Sequence, residues 1–261
     1  MPVRNPDPAL FVAAVRSVLD QDWSNLELIV VETPGGKPLD EVIAGIQDRR
    51  LRHHVAPEGI TTSMARNLAI EQASGGFLAM LDADDLCKQG RIEKQHAWLV
   101  EHPEIGVLGT QIEIIDEHDE VLGRRSYPLE PDAIFETMRL YNPIAQPSVM
   151  LRRSVIAQHG GYDERPDCTC EDYDLWSRLA RKGVRFANLD EVLTSYRMHS
   201  GTMKSQRMRE SLVDTLRIKR TYWADCFDFR ARIRYGLEKI LLLLPKSLVI
   251  RLFKRLYVKG A

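Results

Sequence analysis

The run Phe77-Leu78-Ala79-Met80-Leu81-Asp82-Ala83-Asp84-Asp85 changes character in its middle, from apolar to acidic. Five apolar residues behind Gly75-Gly76 match the length of a buried strand, and the abrupt change to Asp marks where that strand leaves its sheet. In open α/β sheets ligands bind at that carboxyl end. Neighbouring carboxylates repel, and at an effective dielectric of about 20 a close pair costs a few kcal/mol unless positive charge intervenes. A divalent cation such as Mg²⁺ or Mn²⁺ takes such hard oxygens, keeps several waters and shares its shell with substrate phosphates. Taken alone, the cluster also fits simple capping of the next segment, because Asp is a favoured N-cap residue.

Upstream, Gly59 precedes Thr61-Thr62-Ser63, capping material for a helix over 64–72. Arg66 and Asn67 then fall near its N-terminus, where phosphate binding is favoured. By itself Arg66 reads as a solvated surface charge. Further back, Leu26-Glu27-Leu28-Ile29-Val30-Val31 reads as a strand running into Glu32-Thr33-Pro34-Gly35-Gly36, with a helix over 39–47 and a strand over 51–55 after it. Phe11, Ala14, Val15, Val18 and Leu19 keep helical spacing, whereas residues 1–8 read as turn chemistry because their prolines bar regular structure.

Downstream, the pattern predicts a helix over 91–101, a strand over 106–109 extended through 111–116, an antiparallel return over 121–127, a helix over 131–141 and a strand over 148–151. Alternating strands and helices predict an α/β fold with a mostly parallel central sheet flanked by helices. After Gly160-Gly161-Tyr162-Asp163, the segment Cys170-Glu171-Asp172-Tyr173-Asp174-Leu175-Trp176 opens another helix. Carboxylates in a first turn complement the helix dipole, which gives Glu171 and Asp172 a structural use. A metal-and-phosphate site plus a separate carboxylate is also what activating a hydroxyl requires. Residues 185–189 and 192–198 read as two short strands leading to His199, a candidate additional metal ligand or phosphate contact.

In this order the motifs resemble those of the family 2 glycosyltransferases, over residues 2–204. The resemblance is carried by Pro2-Val3-Arg4-Asn5, Ser17-Val18-Leu19-Asp20-Gln21, Leu26-Glu27-Leu28-Ile29-Val30-Val31, Ala65-Arg66-Asn67, Leu81-Asp82-Ala83-Asp84-Asp85, Gly160-Gly161-Tyr162-Asp163, Glu171-Asp172-Tyr173-Asp174-Leu175-Trp176 and Tyr196-Arg197-Met198-His199. It implies a GT-A fold, Rossmann-like, and transfer of a sugar from a nucleotide-diphosphate donor to an acceptor hydroxyl with inversion. It also implies roles. Asp82 and Ala83 would contact the nucleotide, Asp82, Asp84 and His199 would hold Mg²⁺ or Mn²⁺, and Pro2, Arg4, Asn5, Glu32 and Arg66 would line the nucleotide. Asp172 would be the general base, with Glu171 beside it orienting acceptor or base. Three positions depart from the family pattern. The chain opens at the Pro-Xaa-Xaa-Asn loop without the apolar strand usually before it, Glu32-Thr33-Pro34-Gly35 replaces Asp-Asp-Gly-Ser, and Gln146 replaces a His.

The 261 residues suit one substantial α/β domain with an appendage, and a formal charge of −1 hides an asymmetry. From Arg207 onward there are fourteen Lys/Arg against five Asp/Glu, so residues 207–261 are expected to form a basic helical appendage to a catalytic domain over 1–206. From Leu237 to Leu256 apolar residues recur at helical spacing among Lys and Arg, the pattern of an interfacial helix drawn to anionic lipid or of a stripe packed on the domain. A membrane surface would suit a lipid-linked acceptor in polysaccharide or lipopolysaccharide assembly. No nucleic-acid motif accompanies the charge. No stretch approaches the roughly 20 apolar residues of a membrane span. With no signal-like start and four cysteines outside any zinc pattern, the expected location is cytoplasmic, peripheral to the inner face of the membrane. Two other readings use the same residues: a non-catalytic sugar-nucleotide binder or assembly subunit, and a phosphoryl-transfer enzyme that would release inorganic phosphate.

Overall fold

The computed structural model describes residues 1–36, 38–198 and 207–244. Its first part is a parallel sheet of β1 (Pro2–Val3), β2 (Leu28–Glu32) and β3 (Leu51–Val55), with β2 central. All of β2 is buried, and its side chains alternate between two cores as a pleated strand requires. Leu28 and Val30 meet Phe11, Val15 and Val18 of α1 (Pro8–Leu19), while Ile29 and Val31 meet Ala65 of α3 (Thr62–Gln72). The short α2 (Asp40–Ala44) lies between β2 and β3 in the chain. Residues 2–3, expected in a turn, are strand: Pro2 stands opposite Val31 and Val3 opposite Glu32. Proline is tolerated there because it is the first residue of a strand. Asp7 then caps α1, accepting from the amides of Ala9 and Leu10 at 2.9 and 3.2 Å, with Pro8 in the first turn.

The second sheet is mixed, in the order β4 (Phe77–Ala79), β8 (Met150–Arg152), β6 (Ile105–Ile115), β9 (Arg185–Arg197), β5 (Leu86–Cys87), with β7 (Val121–Arg125) antiparallel to β6. Parallel pairing thus holds throughout the first sheet and between β6 and β9. The two short strands expected near the end of the domain are one: β9 steps from Leu189 opposite Thr110 to Val192 opposite Gln111, so Asp190 and Glu191 form the irregularity that breaks the alternation. One face of this sheet packs on α4 (Arg91–Glu101) and the other on α5 (Pro131–Met138), α6 (Arg153–His159) and α7 (Glu171–Arg181).

Residues beyond 206 enter the same core. In α8 (Met208–Tyr222) Leu216 and Ile218 are buried, and Trp223 just after it is fully enclosed among the residues that surround Trp176 and Leu179 of α7. Trp223 Nε1 donates to Ser177 Oγ at 3.0 Å. Only after a short turn does α9 (Phe229–Leu243) run back over α8. The part of the expected interfacial segment beyond residue 244 lies outside the described residues. Among the described residues no helix is long and apolar enough to cross a membrane, and all four cysteines are free thiols.

Candidate active site

Asp82, Ala83 and Asp84 occupy the turn that leaves β4 and enters β5. Met80 N still donates to Val149 O at 2.8 Å, holding the chain to β8 for one more residue, and Asp85 N closes the turn on Asp82 O at 3.3 Å. The carboxylates of Asp82 and Asp85 then part. Asp85 points inward, almost wholly buried, and accepts from the amide of Arg197 at 2.7 Å. Burial, with the charges of Asp82 and Asp84 added, pushes its carboxyl well above the ordinary carboxylate range. Its Oδ2 has no hydrogen-bond partner among the described residues. Arg197 lies under this turn with its side chain fully buried, giving Nε to Asp84 O at 2.8 Å and pairing with Asp119 at 2.6 Å.

Asp82 faces Arg66. The Arg66 Nη2 donates to Asp82 Oδ1 at 2.9 Å and its Nη1 to Glu171 Oε1, a residue 105 positions later in the chain. One guanidinium therefore joins the acidic turn after β4 to the acidic start of α7. The expectation of a solvated surface charge at Arg66 is wrong: the residue is buried, its guanidinium 5.5 Å from the centre of the Tyr162 ring. Burial alone would lower its pKa, but the carboxylates of Asp82 and Glu171 raise it, so the cation is firmly held. Helix α3 can bring Arg66 here because Thr61 caps it, accepting from Met64 N at 3.2 Å.

Its neighbour Asn67 fixes the other wall. Asn67 Oδ1 accepts from Tyr162 N at 2.8 Å, and its Nδ2 donates to Tyr162 O at 3.0 Å. Gly161 permits this approach, since a Cβ there would stand 2.3 Å from Asn67 Oδ1. The Tyr162 hydroxyl, its pKa raised by burial, accepts from Gln146 Nε2 at 2.6 Å. Gln146 stands buried where the family pattern has His, with no partner for its Oε1 among the described residues.

Asp172 is buried in the first turn of α7. Its Oδ1 accepts from Tyr173 N at 2.8 Å and its Oδ2 from Asn142 Nδ2 at 3.0 Å. The amides just ahead of the helix are taken by a residue of another helix: Asp214 Oδ2 of α8 accepts from Thr169 N and Cys170 N, both at 2.9 Å. Arg217 ties α8 to α7 through Asp174 at 2.8 Å and pairs with Asp214 of its own helix, also at 2.8 Å. Asn142 and Asp214 are absent from the residues singled out in the sequence, whereas Asn67 was placed with Arg66 near the helix N-terminus and Tyr162 and Arg197 stand within the family motifs without a role of their own.

The predicted nucleotide side is gathered around the carboxyl ends of β1 and β2. Pro2 is in β1, Arg4 and Asn5 come directly after it, and the Pro34-Gly35-Gly36 turn lies on them: a Cβ on Gly36 would stand 2.4 Å from Asn5 Oδ1. Glu32 ends β2 buried, its Oε1 accepting from Leu39 N at 3.3 Å and its Oε2 lying 2.9 Å from His53 Nε2. His199 lies outside the described residues. Asp82 and Asp84 are hard oxygen donors, and among the described residues no three His, Cys, Asp or Glu side chains gather that could hold an ion unaided. That donor set fits a cation completed by a ligand's oxygens, as Mg²⁺ commonly is.

The sequence model of the family described as glycosyltransferase like family 2 matches residues 2–225. Over 203 residues the chain is 30% identical to the O-antigen biosynthesis glycosyltransferase WbnJ of Escherichia coli, spanning 74% of this chain and 76% of that protein. Two solved structures share the fold. S. aureus TarS 1-349 in complex with UDP-GlcNAc has a TM-score of 0.62 at 13% identity over 95% of this chain and 82% of that one. The mannosyltransferase PcManGT of Pyrobaculum calidifontis, in complex with GDP-Man and Mn²⁺, has 0.61 at 14% identity over 98% and 78%. The fold is GT-A, and with a family model spanning most of its length the chain belongs to the glycosyltransferases of family 2.

Proposed function

We propose that the chain transfers a sugar from a nucleotide-diphosphate donor to a hydroxyl of a saccharide or lipid-linked acceptor, with inversion at the anomeric carbon. The observation that carries this reading is the single buried guanidinium of Arg66 between Asp82 and Glu171. It supports a donor-diphosphate turn on one side and a base-bearing helix start on the other. Asp82 and Asp84 would hold Mg²⁺ or Mn²⁺, as would His199; when bound, such a cation offsets the charge of the diphosphate leaving group. Pro2, Arg4, Asn5, Glu32, Arg66 and Ala83 would form the nucleotide side. Asp172 would take the acceptor proton as its oxygen attacks, Asn142 fixing the carboxylate and Glu171 completing the pair.

Because WbnJ is named for O-antigen biosynthesis, the pathway we infer is cell-surface polysaccharide assembly, with a lipid-linked acceptor met at the cytoplasmic face of a membrane.

The test is release of nucleoside diphosphate from UDP-, GDP- and TDP-sugars with and without lipid-diphosphate saccharides. Release that depends on acceptor, reduced about 10²–10⁴-fold in Asp172→Asn with donor binding retained, is the expected result. Release of inorganic phosphate would instead favour phosphoryl transfer. Donor binding without turnover would favour the non-catalytic reading.

A further inference from the structure

Helix α9 is turned inside out. Its inner side meets α8 through Ala231, which is buried, and through Glu238, whose carboxylate pairs with the buried Lys219 at 2.6 Å. Five of its large apolar side chains nevertheless face away, while Tyr235, Leu241 and Leu242 are half-buried. Phe229, Ile233, Leu237, Ile240 and Leu243 recur at helical spacing along one face and are between 48% and 83% exposed. A protein that only needed α9 to cover α8 would place those residues inward and the ion pair outward. Contiguous exposed apolar surface of this kind marks a contact.

The flanks identify the partner. Arg230, Arg232, Arg234 and Lys239 are all exposed; at 100° per residue Arg232 and Lys239 lie on one side of the apolar stripe and Arg230 on the other, with Arg234 beyond it pairing with Glu238 at 3.1 Å. Beyond the described residues, Lys246, Arg251, Lys254, Arg255 and Lys259 come next in the sequence, with no Asp or Glu among residues 245–261. An apolar stripe edged on both sides by guanidinium and ammonium groups matches the boundary between acyl chains and anionic headgroups. A second protein face would need its own acidic rims in that spacing. We propose that the outward face of α9 is the contact of this chain with an anionic lipid surface, its apolar stripe entering the headgroup layer and its basic edges lying on the phosphates. This contact deepens the lipid-linked acceptor reading and is independent of the transfer chemistry, so the two fail separately.

Sedimentation of the full chain with phosphatidylglycerol and with phosphatidylcholine vesicles tests it, alongside Ile233→Glu/Leu237→Glu and Arg230→Glu/Lys239→Glu. Wild type should pellet with phosphatidylglycerol vesicles, should stay in solution with phosphatidylcholine, and should be released by high salt. Each double variant should lose at least tenfold in partitioning while keeping the wild-type unfolding temperature and nucleotide affinity. Failure of wild type to bind phosphatidylglycerol, or undiminished binding by the Ile233→Glu/Leu237→Glu variant, overturns the proposal. So does a wild-type dimer that this variant converts to monomer without any vesicle binding, since a second copy would then own the face.

Discussion

Arg66 was the least legible of the important residues. Its position near the start of a helix was readable, but its burial was not, because the two carboxylates that make burial tolerable stand 16 and 105 residues away. Removing one partner of a buried ion pair strands the others, so Arg66→Met should cost about 3 kcal/mol, read as a lowered urea midpoint. Arg66→Lys keeps the charge but cannot fork to two carboxylates, and should retain most stability while losing transfer activity at least tenfold. Wild-type activity in Arg66→Lys would show that the bridge to Glu171 is dispensable. Asp172, in contrast, was legible as a residue but not as a geometry: nothing in its spacing revealed Asn142 as its partner. Asp85 is the reverse case. Its place in the acidic run suggested a ligand site, whereas its inward turn onto the Arg197 amide makes it the anchor of the loop.

Elements with strong periodicity were read nearly to their ends, as for β3 (Leu51–Val55) and α4 (Arg91–Glu101), while those set by distant partners were not. The two-residue β5 has no periodicity to read and exists because β9 pairs with it. Helix α7 has no side-chain cap from its own Cys170; Asp214 on α8 instead holds the two amides just ahead of it, those of Thr169 and Cys170. Glu27, just before β2, shows how one side chain ties elements together. It accepts from Ser74 N and Oγ at 2.7 and 2.6 Å and from Arg52 at 2.7 Å, joining the turn before β4 to β3. Burial raises its pKa, but these hydrogen bonds prevail and hold it at about 2. A carboxylate depressed on folding stabilises fully above its unfolded value, roughly 4.3, and loses that contribution as pH falls through its folded value. Glu27→Gln should therefore lower stability at pH 7 by about 1 kcal/mol after solvent screening is allowed for, and the difference should vanish near the folded pKa. A constant difference across that range would exclude the ionised form as its source.

At the scale of the molecule, charge asymmetry placed a change of character at residue 207, but packing does not follow charge. Trp223 is fully enclosed, edge-on to Phe135 at 5.1 Å, and bonded to Ser177 on α7. Trp223→Ala should cost about 3–5 kcal/mol in the unfolding of the whole catalytic unit, seen as one lowered cooperative transition; an unchanged midpoint would separate α8 from that unit. The basic character belongs instead to the outward side of α9 and to residues 245–261. What composition cannot convey is which face of a helix points outward, since that depends on its neighbour. The central claim, a cation-assisted nucleotide-diphosphate site at the end of β4, is tested most directly by calorimetric titration with UDP, GDP and TDP. The titrations are run with Mn²⁺, then after EDTA, then with Asp84→Asn. Binding of one diphosphate that EDTA and the substitution each abolish is the predicted result. Binding of none of the three, or equal affinity in Asp84→Asn, would contradict it.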